Sequence, residues 1–144
     1  MQPTERSIAI QNPTLQVLTH ELGQECQKDP ERDNLDYLND ILERLQRIRT
    51  FAQNGETAFL ESSMIQDAII WNFEVMGEAT KQLTTEFRQQ YPQVAWKKMA
   101  GFQDVLIHNY VEIRLDEVWK AIETELPPLE TQLLEILQEL KHQS

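Results

Sequence analysis

Asp104 and His108 stand four residues apart in the stretch GFQDVLIHNY, residues 101–110, and Tyr110 follows two residues later. On a helix, side chains at i and i+4 are neighbours on one face. A carboxylate beside an imidazole fixes its tautomer and raises its basicity, which suits general acid–base chemistry. The same spacing also describes an ordinary polar pair on a helix surface, and spacing alone leaves both readings open. His108 is flanked by Leu106, Ile107 and Tyr110. It therefore falls at the border of an apolar face, where a partly shielded site can form.

Other residue types frame the alternatives. Arg44, Arg47 and Arg49 form the densest basic cluster, with no acidic residue between positions 44 and 49. They read either as a solvated face near a helix C-terminus, where the macrodipole favours cations, or as a contact to phosphate or RNA. Glu74 and Glu78 share the i, i+4 spacing of metal-binding helices, but the paired Glu-x-x-His motif of such bundles is missing. No metal site and no cofactor are expected. The chain has no Gly-rich phosphate loop, no G-x-S-x-G and no H-E-x-x-H. Trp71, Trp96 and Trp119 read as core or subunit-interface residues, and Met64, Met76 and Met99 as core.

These side chains must be positioned by helices. Asn12-Pro13 reads as a cap followed by Pro at the first helical position, with Leu15, Leu18, Leu22 and Cys26 on one face. KDPERDN, residues 28–34, breaks the pattern. Leu38, Ile41, Leu42, Leu45, Ile48 and Ala52 recur at three and four, which predicts a helix ending at Asn54-Gly55. Ser63 and Gln66 have capping-box spacing and open a long helix through Ile65, Ile69, Phe73, Met76, Leu83 and Phe87. Gly77 within it costs about 1 kcal/mol relative to Ala, which close approach of a neighbouring helix would offset. Tyr91-Pro92 stops this helix, a further one spans Phe102 to about Tyr110, and the last starts near Leu115. Pro127-Pro128 is expected to kink or interrupt that last helix.

With no alternating strand segment, the expected fold is an all-α bundle of four or five helices. At 144 residues the chain is expected to be one helical domain, 35–144, preceded by an N-terminal extension, 1–34, that carries a short helix. One cysteine excludes an internal disulfide. No secretory signal or membrane span is visible, so the expected location is cytoplasmic. A net charge of −11 argues against a broad, sequence-tolerant nucleic-acid surface, though not against a small basic pocket.

From Tyr37 to about Leu137 the chain resembles the HepT-like branch of the HEPN superfamily, small helical ribonuclease toxins of bacterial toxin–antitoxin pairs. The matching pieces come in the family order: YLNDILERLQRI (37–48), QDAIIWNFEVMGEATKQL (66–83), YPQVAWKKMAGFQDVLIHNY (91–110) and LDEVWKAIETELPPLETQL (115–133). The resemblance implies an α-helical dimer that cleaves RNA without metal, in a cleft where two copies of an Arg…His-x-Tyr motif meet. His108 and Tyr110 fit that motif. Its Arg position falls on Gln103, and the polar residue after it, often Asn, is Asp104. Arg114 stands where members often carry Asp.

The resemblance gives each position a task. His108 would be the general acid or base in attack by a 2′-hydroxyl. The Arg would stabilise the charge that develops on the phosphate, and losing one such group costs about 10²–10³ in rate. Arg44 or Arg47 is the first candidate to substitute for it, with Lys97 or Lys98 second. The partner implied is an MntA-type nucleotidyltransferase antitoxin that silences the toxin by attaching AMP to Tyr110. Because Gln103 supplies no charge, the alternative is a catalytically inactive binding module of the same fold that still pairs with a nucleotidyltransferase.

Overall fold

A computed structural model of the chain describes residues 32–108 and 114–143, with 103–108 described as helix backbone only. All of them belong to one compact unit, Arg32–Ser144. The helix expected within residues 12–26 lies outside the described residues. Among those described there are seven helices and no strand, so the fold is all-α. Five of the helices have ten residues or more, and two are single short segments.

Helix α1 (Asn34–Phe51) opens on a reciprocal capping box: the Asp33 carboxylate accepts from the Asp36 N–H, and the Asp36 carboxylate accepts from the Asp33 N–H. Two donors that no intrahelical bond can reach are satisfied in this way. Its buried stripe is Tyr37, Leu38, Ile41, Leu42, Leu45 and Ile48, the periodicity visible in the sequence. Asn54-Gly55 forms the turn expected, and Gly55 holds φ +96°, a left-handed conformation that suits glycine. Helix α2 (Glu56–Glu61) follows. Although six residues long, it is pinned by Phe59, which is fully buried and lies 5.5 Å from the Trp119 ring centroid.

Helix α3 (Ser63–Gln82) is capped by Ser62, whose hydroxyl accepts from the Ile65 N–H. The capping residue is thus one position earlier than expected, and Gln66 donates instead to the carbonyls of Phe59 and Leu60. The expected unbroken helix to Phe87 is also corrected: α3 stops at Gln82, and a separate helix α4 (Thr85–Gln90) begins. Thr84 makes the break. Its hydroxyl accepts from the Phe87 N–H while its own N–H donates to Asn34, and Asn34 donates back to its hydroxyl. Tertiary bonds to the start of α1 outcompete helix continuation at that residue. Phe87 stays in the core, stacked near Tyr91 and Trp96.

Helix α5 (Trp96–His108) packs on α3, which also packs extensively on α1 and so forms the centre of the unit. Gly77 is buried in α3. Helix α6 (Leu115–Thr124) and helix α7 (Leu126–Gln143) pack on each other, and α7 also packs on α1. The interruption foreseen at Pro127-Pro128 sits just before them, at Glu125. Both prolines occupy the first turn of α7, where their missing N–H groups would have had no helical partner anyway.

Met76, Met99, Trp96 and Trp119 are buried as expected. Met64 and Trp71 are not: they are 77% and 50% exposed. Seven residues apart on α3, they share one outward face. The core reading fails for both, and for Trp71 the interface reading is left.

Candidate functional site

Gln103, Asp104 and His108 all lie on α5, and His108 is its last residue. The helix therefore realises the i, i+4 relation of Asp104 and His108 that the sequence suggested. Gln103, five positions before His108, falls about 140° around the same helix. Tyr110 lies outside the described residues.

The site rests on how firmly α5 is held, and its first turn is tied down from three directions. The Trp96 indole N–H donates to the carbonyl of Tyr91 at 2.9 Å and that of Arg88 at 3.1 Å, clamping the helix start to the end of α4. The Tyr91 hydroxyl donates to Glu139 on α7 at 2.8 Å, and Gln132 of α7 donates to the Gln93 carbonyl. Burial, then the hydrogen bond to Glu139 and its charge, pushes the Tyr91 phenol above its ordinary range. Lys98 pairs with Glu125 at 2.7 Å. Midway along, Phe102 meets Phe73 of α3 edge-on at 5.1 Å. The motif's histidine thus ends a helix whose first turn is tied to the end of α4 and to Glu125 between α6 and α7, whose leading segment is tied to α7, and whose middle meets α3.

Beside this helix runs a cleft of about 440 Å³. Phe73, Phe102, Val118 and Ala121 give it an apolar floor, and Lys98 and Lys120 stand on its rim. A Cβ at Gly101 would meet nothing within 4 Å, so the glycine keeps that wall of the cleft open without a packing requirement.

The arginine cluster lies elsewhere, on α1. The Arg44 guanidinium donates to Asn72 of α3 at 3.2 Å. Asn72 is 4% exposed and its amide also donates to the Ala68 carbonyl. Arg44 thus bridges α1 and α3. Arg47 is half exposed and paired with Glu43 one turn earlier, and Arg49 is paired with Glu130 of α7. Neither Arg44 nor Arg47 bonds to a described residue of α5.

Partial burial holds the Glu74 carboxyl above the usual carboxylate range. Glu78 accepts a hydrogen bond from Gln82. Among the described residues no three His, Cys, Asp or Glu side chains gather in a way that could hold a metal ion.

Sequence reasoning missed the clamp on Trp96. The Tyr-Pro…Trp step carried a signal for it, since an indole placed five residues after the Tyr reaches back to carbonyls left free by the end of the preceding helix. It also missed the cleft beside α5, which depends on which helices flank it.

Comparison with known proteins places this architecture. The model of the family described as Ribonuclease HepT-like matches residues 41–136. The chain belongs to this family, within the HEPN superfamily of all-α proteins. It is 37% identical over 105 residues to a Methanocaldococcus jannaschii protein named as a gamma-glutamylcyclotransferase and candidate RNase; the match covers 72% of this chain and 47% of that protein. The chain thus spans about half the length of that relative. A candidate RNase of the same organism is 33% identical over 113 residues, covering 78% of this chain and 93% of its own length. A protein of Thermococcus cleftensis named as a probable ribonuclease HepT is 33% identical over 99 residues, covering 68% of this chain and 90% of its own length. No solved structure matches the chain. No described helix is long and apolar enough to cross a membrane.

Proposed function

We propose that the chain is a metal-independent ribonuclease toxin in which α5 carries the reacting groups. His108 moves the proton as the ribose 2′-oxygen bonds to the adjacent phosphorus, the P–O5′ bond breaks and the 5′-hydroxyl leaves, giving a 2′,3′-cyclic phosphate, and Asp104, one turn before it, orients the imidazole. The observation that carries this reading is the ribonuclease family match across the very helix in which Asp104 and His108 stand at i, i+4. The position of Gln103, about 140° around the helix from His108, favours a cleft built from two copies of the chain. In such a cleft one copy's polar group faces the other copy's histidine. The outward Met64–Trp71 face supplies apolar surface for self-association.

Gln103 can donate only a neutral hydrogen bond where the motif has a guanidinium, so the charge on the transition state is less well stabilised and turnover is slow. The second reading, an inactive module that only binds its partner, is favoured by this same residue. In both readings the partner is a cytoplasmic nucleotidyltransferase of the MntA type: the Tyr110 phenolic oxygen loses its proton and bonds to the α-phosphorus of ATP, pyrophosphate leaves, and in the ribonuclease reading the attached AMP adds negative charge and bulk where RNA phosphates must enter. Residues 1–34 then form an extension outside the catalytic domain.

Two measurements test the proposal. Purified chain should cleave RNA in EDTA, and His108→Ala should abolish that cleavage; cleavage that survives His108→Ala would remove His108 from the chemistry. Incubation with the nucleotidyltransferase and ATP should add the mass of one or more AMP units, and Tyr110→Phe should prevent it. An unchanged adduct on Tyr110→Phe would reassign the modified residue.

A further inference from the structure

A second concavity, open and about 830 Å³ in volume, lies between α4 and the first turn of α5. Arg88, Lys97 and Lys98 line it together with Thr85, Gln89 and Trp96, and no carboxylate does. That is unusual for this chain, which has 24 acidic residues against 13 basic ones.

The use of the cations sharpens the point. The fold pairs most of its positive charges: Arg32, Arg47, Arg49, Arg114 and Lys98, the last on the edge of this concavity, are paired with carboxylates, and Arg44 with Asn72. Three cations have neither a carboxylate nor an amide partner among the described residues: Arg88, Lys97 and Lys120. Two of these three line this one concavity. The Arg88 Nε is buried and has no hydrogen-bond partner. With no side-chain bond to a described residue, the Arg88 guanidinium keeps its two terminal nitrogens for an anion in the concavity it lines.

We propose that this concavity holds a backbone phosphate of the RNA strand, with Arg88 and Lys97 as its cationic ligands. The proposal rests on the ribonuclease reading and adds to it a substrate contact remote from the chemistry. The concavity lies at the start of α5 and His108 at its end, about 18 Å away along the axis. A phosphate held there belongs to a nucleotide several positions from the scissile bond. It contributes affinity and register, because phosphate contacts position a strand without reading its sequence. The first turn of α5 faces the same space, and the helix macrodipole adds to the attraction for an anion.

The test is a titration of a labelled single-stranded RNA oligonucleotide at a series of salt concentrations, which reads binding whether or not the protein cuts. Each phosphate contact on a single strand contributes about 0.7 to the slope of log K against log salt. Arg88→Gln/Lys97→Gln should lower the slope by about 0.7, the loss of the one phosphate contact, and Lys97→Gln alone by part of that, while Lys120→Gln leaves it as in the unaltered chain. Lys97 is exposed, so its single variant reads the contact free of any effect on folding. An unchanged slope in both variants, an equal loss in Lys120→Gln, or AMP binding as tightly as the RNA would overturn the site while His108-dependent cleavage stood. If the unaltered chain bound no RNA at any salt, the ribonuclease reading would fail and this proposal with it.

Discussion

At the scale of single residues, the balance between structural and chemical roles follows from what each side chain touches. Tyr91 is a structural tyrosine: its hydroxyl reaches Glu139 of α7, and burial leads the causes that raise its phenol above the ordinary value of 10.0. A group whose folded value is raised adds stability that is complete below the unfolded value and fades as pH climbs through the folded one. Tyr91→Phe should therefore cost about 0.5–1.5 kcal/mol at pH 7, and the difference from the unaltered chain should shrink above pH 10. Denaturant titrations at pH 7 and at pH 10.5 check this; equal costs at both would show that the hydroxyl carries no such linkage. The arginines of α1, attractive in the sequence as phosphate ligands, are engaged by the fold: Arg44 with Asn72, Arg47 with Glu43, Arg49 with Glu130. Arg88 and Lys97 are two of the three cations without an ion pair or amide partner among the described residues, and their neighbours in the chain gave no hint that they share one concavity.

At the scale of elements, the start of α6 carries a prediction. Arg114 occupies its N-cap with extended φ and ψ but makes no side-chain cap bond; its guanidinium donates to Asp116 instead. Arg114→Ser places a hydroxyl at an N-cap that has no side-chain cap bond, and should stabilise the protein by about 0.5–1 kcal/mol. A lower thermal midpoint in the variant would show that the Arg114–Asp116 pair outweighs the missing cap.

Elements were legible where periodicity and caps agreed, as in α1, whose buried stripe is the one that the three-and-four spacing marks. They were misread where a distant residue decides. Asn34 bonds Thr84 across fifty positions and splits a helix that its own apolar line would have continued. Pro127-Pro128 announced a break correctly, but the chain turns at Glu125 and keeps both prolines in the next first turn. The spacing of Asp104 and His108 was legible because it needs one helix only. The clamp on Trp96 and the concavity at Arg88 were not, since both are made by residues from separate helices.

At the scale of the whole molecule, an acidic chain of net charge −11 meets a polyanion through a few places rather than a broad surface. The architecture suits that. Helix α5 is tied at its start to the end of α4 and to Glu125, and along its middle to α3, with a basic concavity at one end and His108 at the other. Everything in the account that concerns chemistry depends on that helix being a ribonuclease site whose weakness is the neutral Gln103. The most direct measurement is RNA cleavage by purified Gln103→Arg protein beside the unaltered chain, each with and without His108→Ala. Restoring the guanidinium should raise the rate by about 10²–10³, and His108→Ala should abolish the activity in both backgrounds. A folded Gln103→Arg protein that cuts RNA no faster than the unaltered chain would contradict the account.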